Sequence, residues 1–455
     1  MSLLHPNGEE RLFYRNLRTL VFPIILQNLI SASVNSADVF MLNYVSESAL
    51  AAVSLANQIQ FLLTGFFFGI ATGTSLLVSQ YWGKEDKQSI QAIFGIALKL
   101  SVAFTAVVSL AVLLFPQLTM RIFTHDPEMI QIGAQYLRIL ALSYLMMGFS
   151  QVYECVMRSI ERAKVSTALS GIALVLNVSL NAVFIFGFFG FPKLGVVGVA
   201  VATVIARSVE LALCFWDALR FRPLPWNMKI ILGRHPALLK DYIRYSLPAL
   251  GNDLSWTLAF STYSIILGRL GTDAVAAAAV ATTVRELCTT VCFGFSGAST
   301  VIVGKAIGQG DMGRAKRNAS RLCWFTFAST VVMGLVIILS RPLVFRIFML
   351  SPSAEELLNF MLLVSSYYIC GQAMNTLLIA GIFRAGGDTR FGLICDTVTM
   401  WCIAVPVGFL AAFVLHLPVK AVYLILCLDE FYKVPVVVKK YFSYSWLKNI
   451  TRDYQ

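Results

Sequence analysis

Asn28-Leu-Ile-Ser31-Ala-Ser-Val-Asn35-Ser-Ala-Asp38 lies inside an apolar run from about Thr19 to Val45. Its polar members, Asn28, Ser31, Asn35 and Asp38, recur at spacings of three, four and three, so on a helix they form one narrow stripe. The run is long enough to cross a bilayer. A carboxylate within a span costs at least ~2.5 kcal/mol on insertion scales and persists where a cavity, a partner or an ion takes up its charge. The stripe should therefore face protein, and Asp38 reads as a coupling-ion or proton site. Depth leaves a second reading open. Twenty residues from Arg18 span about 30 Å of straight helix, which would set Asp38 near the outer interface. The apolar run continues past it, however, and the polar residues beneath imply a tilted span lining a cavity.

The rest of the chain has the same character. Of 455 residues 58% are hydrophobic and 13% charged, with a mean hydropathy of +0.74. A soluble domain carries about a quarter charged residues, so this is an all-α membrane protein of many spans. Its first fifteen residues are polar and lack the apolar core of a cleaved signal. The net charge of +12 raises the question of nucleic acid. If spans alternate from a cytosolic amino terminus, though, roughly 28 of the 36 lysines and arginines fall on cytosolic segments or span ends. Topology explains the charge, and no nucleic-acid partner is expected. The nine cysteines form no CxxC pair, the four histidines (His5, His125, His235, His416) lie in terminal or connecting segments, and no GxxxxGKS/T loop is present. Disulfides, a zinc site, nucleotide hydrolysis and an intramembrane enzyme are all disfavoured.

Apolar windows of span length start near Thr19, Leu50, Gln91, Met129, Val165 and Leu194, and again near Tyr242, Ala274, Leu322, Leu357, Phe391 and Val419. Twelve transmembrane helices follow, with both termini cytosolic. The one long polar connection carries Arg220, Arg222, Pro223, Pro225, Lys229, Arg234 and Lys240. It separates an amino-terminal six-helix lobe (1–217), through a cytosolic linker (218–240), from a carboxy-terminal lobe with a cytosolic tail (241–455). The halves resemble each other. At a shift of 225, Pro23 falls on Pro248, Ala49 on Ala274, Gly69 on Gly294, Gly83 on Gly308, Asp86 on Asp311, Arg121-Ile-Phe on Arg346-Ile-Phe and Pro127 on Pro352. With one more residue of shift Arg158 falls on Arg384. Six-span copies keep one orientation, so the lobes are pseudo-twofold related about the membrane normal, with the substrate path expected between them. Gly83-Lys84-Glu85-Asp86 and Gly308-Gln309-Gly310-Asp311 read as equivalent loop corners. Arg384-Ala-Gly-Gly-Asp388-Thr-Arg390 is a tight turn whose counterpart, Arg158 to Lys164, lacks the glycines.

Several further polar residues lie within spans. Asn177 and Asn181 share one face of span five, where amides usually hydrogen-bond between helices, and Thr203 in span six usually bonds its own backbone. Asp253, the adjacent Arg285 and Glu286, and Asp396 are the intramembrane charges of the second half. A buried ion pair is the plain explanation of Arg285 with Glu286. Asp253 either lines a path for a cationic substrate or makes a structural salt bridge. Tyr263 stands where the repeat would place a second Asp38. Asn35, Asp253, Trp256, Tyr263, Glu286 and Asp396 are the candidate substrate-path residues, and Glu154, near Tyr144 and Tyr153, is a weaker one.

The two six-span halves, the Pro23 to Asp38 pattern, Asn177 with Asn181, Thr203, the alanine-rich Ala274 to Ala281 and Gly387-Asp388-Thr389 together resemble the multidrug and toxic compound extrusion (MATE) transporters. Met400-Trp401 with Pro406, and Leu415-His-Leu-Pro418, look like the bacterial branch. The resemblance runs from about Arg11 to Lys440. It implies a secondary antiporter that exports drug-like, cationic amphipathic compounds in exchange for Na+ or H+ by alternating access. By motif match, Asp38, Asn177, Asn181 and Thr203 would form the cation site, with Asp38 the Na+ ligand if sodium drives transport. Two departures stand out: Asn181 replaces an aspartate of some members, and Trp256 stands where others have a glutamate. The implied setting is the inner (plasma) membrane, with a small-molecule substrate, the lipid bilayer as partner, a monomer, and no cofactor beyond the coupling ion. A lipid-linked precursor flippase of the same superfamily is the alternative. A passive channel or an intramembrane enzyme is a third.

Overall fold

The computed structural model describes the backbone of residues 8–43, 47–348 and 350–452; side chains at 8, 9, 12, 32, 35–40, 42, 43, 47, 50 and 189 are outside the described set. Regular structure among the described residues is helical, as a chain in hydrocarbon requires when every backbone N–H and C=O must find its partner locally. The chain divides into two compact units, Leu26–Tyr242 and Ile243–Asp453, the latter joined by the residues up to Ile25.

The first unit is built from the second half of α1 (Gly8–Asn43), then α2 (Glu47–Gly83), α3 (Lys87–Leu114), the short α4 (Pro116–Arg121), α5 (Pro127–Ser159), α6 (Ala163–Phe186), α7 (Gly195–Arg220) and the short α8 (Met228–Leu232). Its core joins Leu63 and Phe67 of α2, Leu137, Leu140, Tyr144 and Met147 of α5, Ile185 of α6 and Val199 of α7. The basic connection after α7 is not a loose tether. The Asn227 N–H donates to Gln91 Oε1 at 2.7 Å, Lys99 Nζ to the Gly233 carbonyl at 2.6 Å, and Trp226 packs on Phe94 with ring centroids 5.2 Å apart. These contacts fasten α8 along α3. The sequence reading took the segment as a plain linker because its prolines and charges hide Trp226.

The second unit holds α9 (Pro236–Gly268) from Ile243 onward, α10 (Thr272–Gly308), α11 (Met312–Ile347), α12 (Pro352–Asn375), α13 (Thr389–Asp396), α14 (Val405–Phe409), α15 (Val419–Leu426) and α16 (Asp429–Ser443). Its core joins Ala277 and Ala281 of α10, Leu358, Met361 and Tyr368 of α12, Tyr263, Met400 and Tyr423. The small alanines let helices approach closely. The start of α1 belongs to this unit's own packing: Arg321 donates to Glu10 at 2.9 Å and lies over the Phe13 ring.

Nine helices among the described residues are long and apolar enough to cross a membrane. The other three of the twelve spans are α1, α9 and the α15–α16 pair. The last of these breaks at Cys427 and Leu428 rather than running straight on from Val419, and the break turns Asp429, Glu430 and Lys433 into the protein interior. Lipid-facing surface is apolar, with Phe61, Phe68, Val107, Leu110, Trp324 and Leu339 all exposed.

The repeat is visible in local geometry. Asp86 caps α3 by accepting from the N–H groups of Gln88 and Ser89, and Asp311 caps α11 by accepting from Arg314 N. Asp126 before Pro127 and Ser351 before Pro352 cap α5 and α12 in the same way. One difference is equally regular. The α12 span continues as π-helix over Thr376–Phe383 and reaches Ala385, one residue further than its counterpart α5 at 33 residues. An extra residue inside an α-helix is accommodated as a π turn. That residue accounts for the change in shift between Pro127/Pro352 and Arg158/Arg384. Two more π stretches, Thr397–Ala404 and Leu410–Val414, interrupt the next span.

Candidate functional site

In the first unit, α6 brings Asn177 and Asn181 to one face, four residues apart, and both are buried. Asn177 Nδ2 donates to Thr203 Oγ1 on α7 at 3.1 Å, and Asn181 Nδ2 donates to Asn177 Oδ1 at 3.4 Å. Thr203 Oγ1 also donates to its own helix at Val199 O, 3.0 Å away. Three of the four expected cation-site residues thus meet in one chain of hydrogen bonds. Their amide and hydroxyl oxygens are hard donors, suited to a sodium ion or to a carboxyl group that carries a proton. Asn35 and Asp38 lie on α1, and their side chains are outside the described residues. Of the stripe below them, Asn28 and Ser31 are half-buried, and Ser31 Oγ donates to Gln27 O at 2.9 Å. Gln27, which the stripe omits, is better connected: its Nε2 donates to Glu154 Oε2 at 3.2 Å and to Ser170 Oγ at 2.8 Å.

The second unit joins Asp253 and Asp396 in one network with Arg384 and Lys433. Arg384 donates to Asp253 Oδ1 at 2.6 Å and to Asn252 Oδ1 at 2.8 Å. Asn252 Nδ2 donates to Asp396 Oδ2 at 2.6 Å, and Asp396 Oδ1 is 2.9 Å from Lys433 Nζ. Lys433 Nζ is 3.1 Å from Glu430 Oε1, and Asn375 Nδ2 donates to Glu430 Oε2 at 2.8 Å. Lys433 is only 2% exposed. Asp253 therefore makes the salt bridge that the sequence left as one of two readings, while about a third of its side chain, 32%, stays exposed. Asp396 sits at the centre of the network. Tyr263 is buried and its hydroxyl donates to Asp429 Oδ2 at 3.2 Å. Trp256 packs at a tilt against Phe260, with ring centroids 4.3 Å apart.

The expected ion pair of Arg285 with Glu286 is corrected by the structure. Arg285 is buried over the Tyr368 ring, 5.0 Å from its centroid, and over Phe260 at 5.7 Å, whereas Glu286 is exposed. Neighbouring residues on a helix do not face each other, so adjacency in sequence separates this pair, and the aromatic faces take up the guanidinium instead. Lys433, Glu430 and Asp429 are members of this network that sequence reasoning missed. An Asp-Glu pair with a lysine three positions on, inside an apolar run, was the available signal.

The MatE family model matches residues 23–183 and 248–410. Its two matches start 225 residues apart. An uncharacterized transporter, YisQ, of Bacillus subtilis (strain 168) is 24% identical over 95% of each chain. A probable multidrug resistance protein, NorM, of Bradyrhizobium diazoefficiens is 27% identical over 88% of this chain and 87% of its own. Among solved structures, a MATE protein in the straight conformation superposes with a TM-score of 0.86 at 19% identity, covering 97% of this chain and 99% of the other.

Proposed function

Since the chain belongs to the MatE family and is a multi-pass membrane transporter of small molecules, we propose that it is a secondary antiporter. It exports drug-like, cationic amphipathic compounds by alternating access, driven by inward Na+ or H+. The observation that carries this reading is the hydrogen-bonded set of Asn177, Asn181 and Thr203 inside two neighbouring spans. Neutral oxygen donors grouped in hydrocarbon are costly unless they serve a ligand or one another. Asp38, on the span that opens the same half, supplies the charge that a coupling cation needs. The acidic surplus of the second unit, where Asp253, Asp396, Asp429 and Glu430 lie among Arg384, Lys433 and Arg285 in the described residues, supports a cationic substrate. The proposed setting is the plasma membrane, with both termini cytosolic, as a monomer and without enzymatic chemistry.

Purified protein in sealed vesicles tests the proposal. An imposed inward gradient of Na+ or of H+, each with the other held level, should drive export of a fluorescent cationic dye. Asp38→Asn should abolish gradient-driven export while leaving the protein folded. Full export by that variant removes Asp38 from the site, and dye flux indifferent to both gradients favours a passive channel.

A further inference from the structure

Two carboxylic acids sit fully buried in the first unit, apart from the Asn177 group: Glu154 on α5 and Glu210 on α7. One oxygen of each is well supplied. Glu154 Oε2 accepts from Gln27 Nε2 at 3.2 Å and from Ser166 Oγ at 3.3 Å, with Arg158 Nη1 3.7 Å away. Glu210 Oε2 accepts from Arg207 Nη1 at 2.7 Å. The other oxygen of each, Oε1, is buried and receives no donor among the described residues. The two carboxyl groups are direct neighbours. An ionised carboxylate only accepts, so two of them side by side cannot bond and instead repel in a medium of low dielectric.

We propose that Glu154 and Glu210 form a proton-binding pair, in which one proton held between their Oε1 atoms makes one group a carboxylic acid donating to the other, a carboxylate. The charged groups facing Glu154 are Glu210 and Arg207 from α7 and Arg158 from its own helix. Those facing Glu210 are Arg207 on its own helix and Glu154, and the Cys214 thiol of α7 stands beside both acids. Ser166 and Ser170 of α6 and Gln27 of α1 are neutral. With both acids ionised the two arginines balance them, and the bound proton adds one positive charge. A metal ion is the poorer occupant. It needs more oxygen ligands than the two free atoms offer, and N–H donors of Arg158, Arg207 and Gln27 crowd the rest of the site.

The pair touches two partly exposed arginines and is connected to another helix. The side chains of Arg158 and Arg207 are 24% and 21% exposed, and Glu154 lies five residues from the end of α5. Gln27 ties Glu154 to α1, the helix that carries Asp38, so gain or loss of the proton changes the charge that holds α1 against α5. This last consequence rests on the antiporter reading. The proton itself does not.

Infrared spectroscopy of the full-length protein in lipid nanodiscs reads the proton directly. The carbonyl stretch of a protonated side-chain carboxyl should appear in the wild-type-minus-Glu154→Gln difference spectrum, and again for Glu210→Gln, with an intensity of one acid per chain. It should be absent from the wild-type-minus-Asp38→Asn difference. Glutamine mimics the protonated acid and offers its amide N–H to the partner oxygen, which preserves the local bonding. Should either variant resist purification, Glu210→Asp serves instead and should shift the band. A band unchanged by these substitutions overturns the proposal. The measurement uses no gradient and no dye, so its failure is distinct from failure of the antiporter reading, which the export assay tests.

Discussion

The hub of the second unit is a single residue. Lys433 is buried against Asp396 and Glu430, and through Asn252 the same network reaches Arg384 and Asp253. Removing one member of a buried charge pair strands the other, which typically costs about 3–5 kcal/mol. Lys433→Met should therefore lower thermal stability in detergent by an amount of that order, and adding Asp396→Asn with Glu430→Gln should recover a large part of it. If the single variant melts with the wild type, the network does not hold the unit together. The sequence made Asp253 and Asp396 conspicuous because a charge in a span is rare. It did not reveal their partners, since Asp253 and Arg384 are 131 residues apart and meet only through helix packing. Asn177, Asn181 and Thr203 were legible for the opposite reason: helical spacing and a motif match suffice when the contacts are local to neighbouring spans.

At the scale of elements, the paired corners show how one backbone is written in two sequences. Glu85 and Gly310 occupy matching positions with φ of 62° and 78°, and Glu161 and Gly387 do so with φ of 66° and 79°. A left-handed residue with a side chain costs roughly 1–2 kcal/mol, which glycine avoids. The first half thus carries strain at both corners that the second half does not. Gly310→Ala should destabilise the protein by about 1 kcal/mol, and the exposed Glu85→Gly should stabilise it by a smaller amount, because a more flexible unfolded chain offsets part of the gain. Both are read as shifts in thermal midpoint. An added Cβ at Gly310 meets nothing within 4 Å, so a loss there reports backbone conformation and not a clash. The corners themselves were readable from Gly83 and Gly308 and from the capping aspartates. Their equivalence at Glu161 was not, because a glutamate gives no sign that it has taken a glycine's conformation.

For the whole molecule, the proposed orientation makes a direct prediction. In a background with Cys323, Cys370 and Cys402 changed to Ser, these being the least buried of the nine cysteines, single cysteines at Glu85 and Gln309 should react with an impermeant thiol reagent only from the cytosolic side. Single cysteines at His125 and Lys193 should react only from outside. Reaction of all four from one side would refute the topology. The twelve spans were legible from hydropathy alone, and the two halves from shared Pro, Gly and Arg positions. What hydropathy blurred was the last span, where the Asp429-Glu430 step breaks the helix and faces inward.

The π turn at Thr376–Phe383 also orders events in the history of the chain. The two halves keep one spacing from Pro23/Pro248 to Pro127/Pro352 and another from Arg158/Arg384 onward, as matched left-handed corners at Glu161 and Gly387 attest. Only a residue gained in one half or lost from the other, after both copies existed, produces that step. Whichever half changed, the arginines just past the step now have different partners. Arg158 stays beside Glu154 on its own helix, and Arg384 reaches across to Asp253.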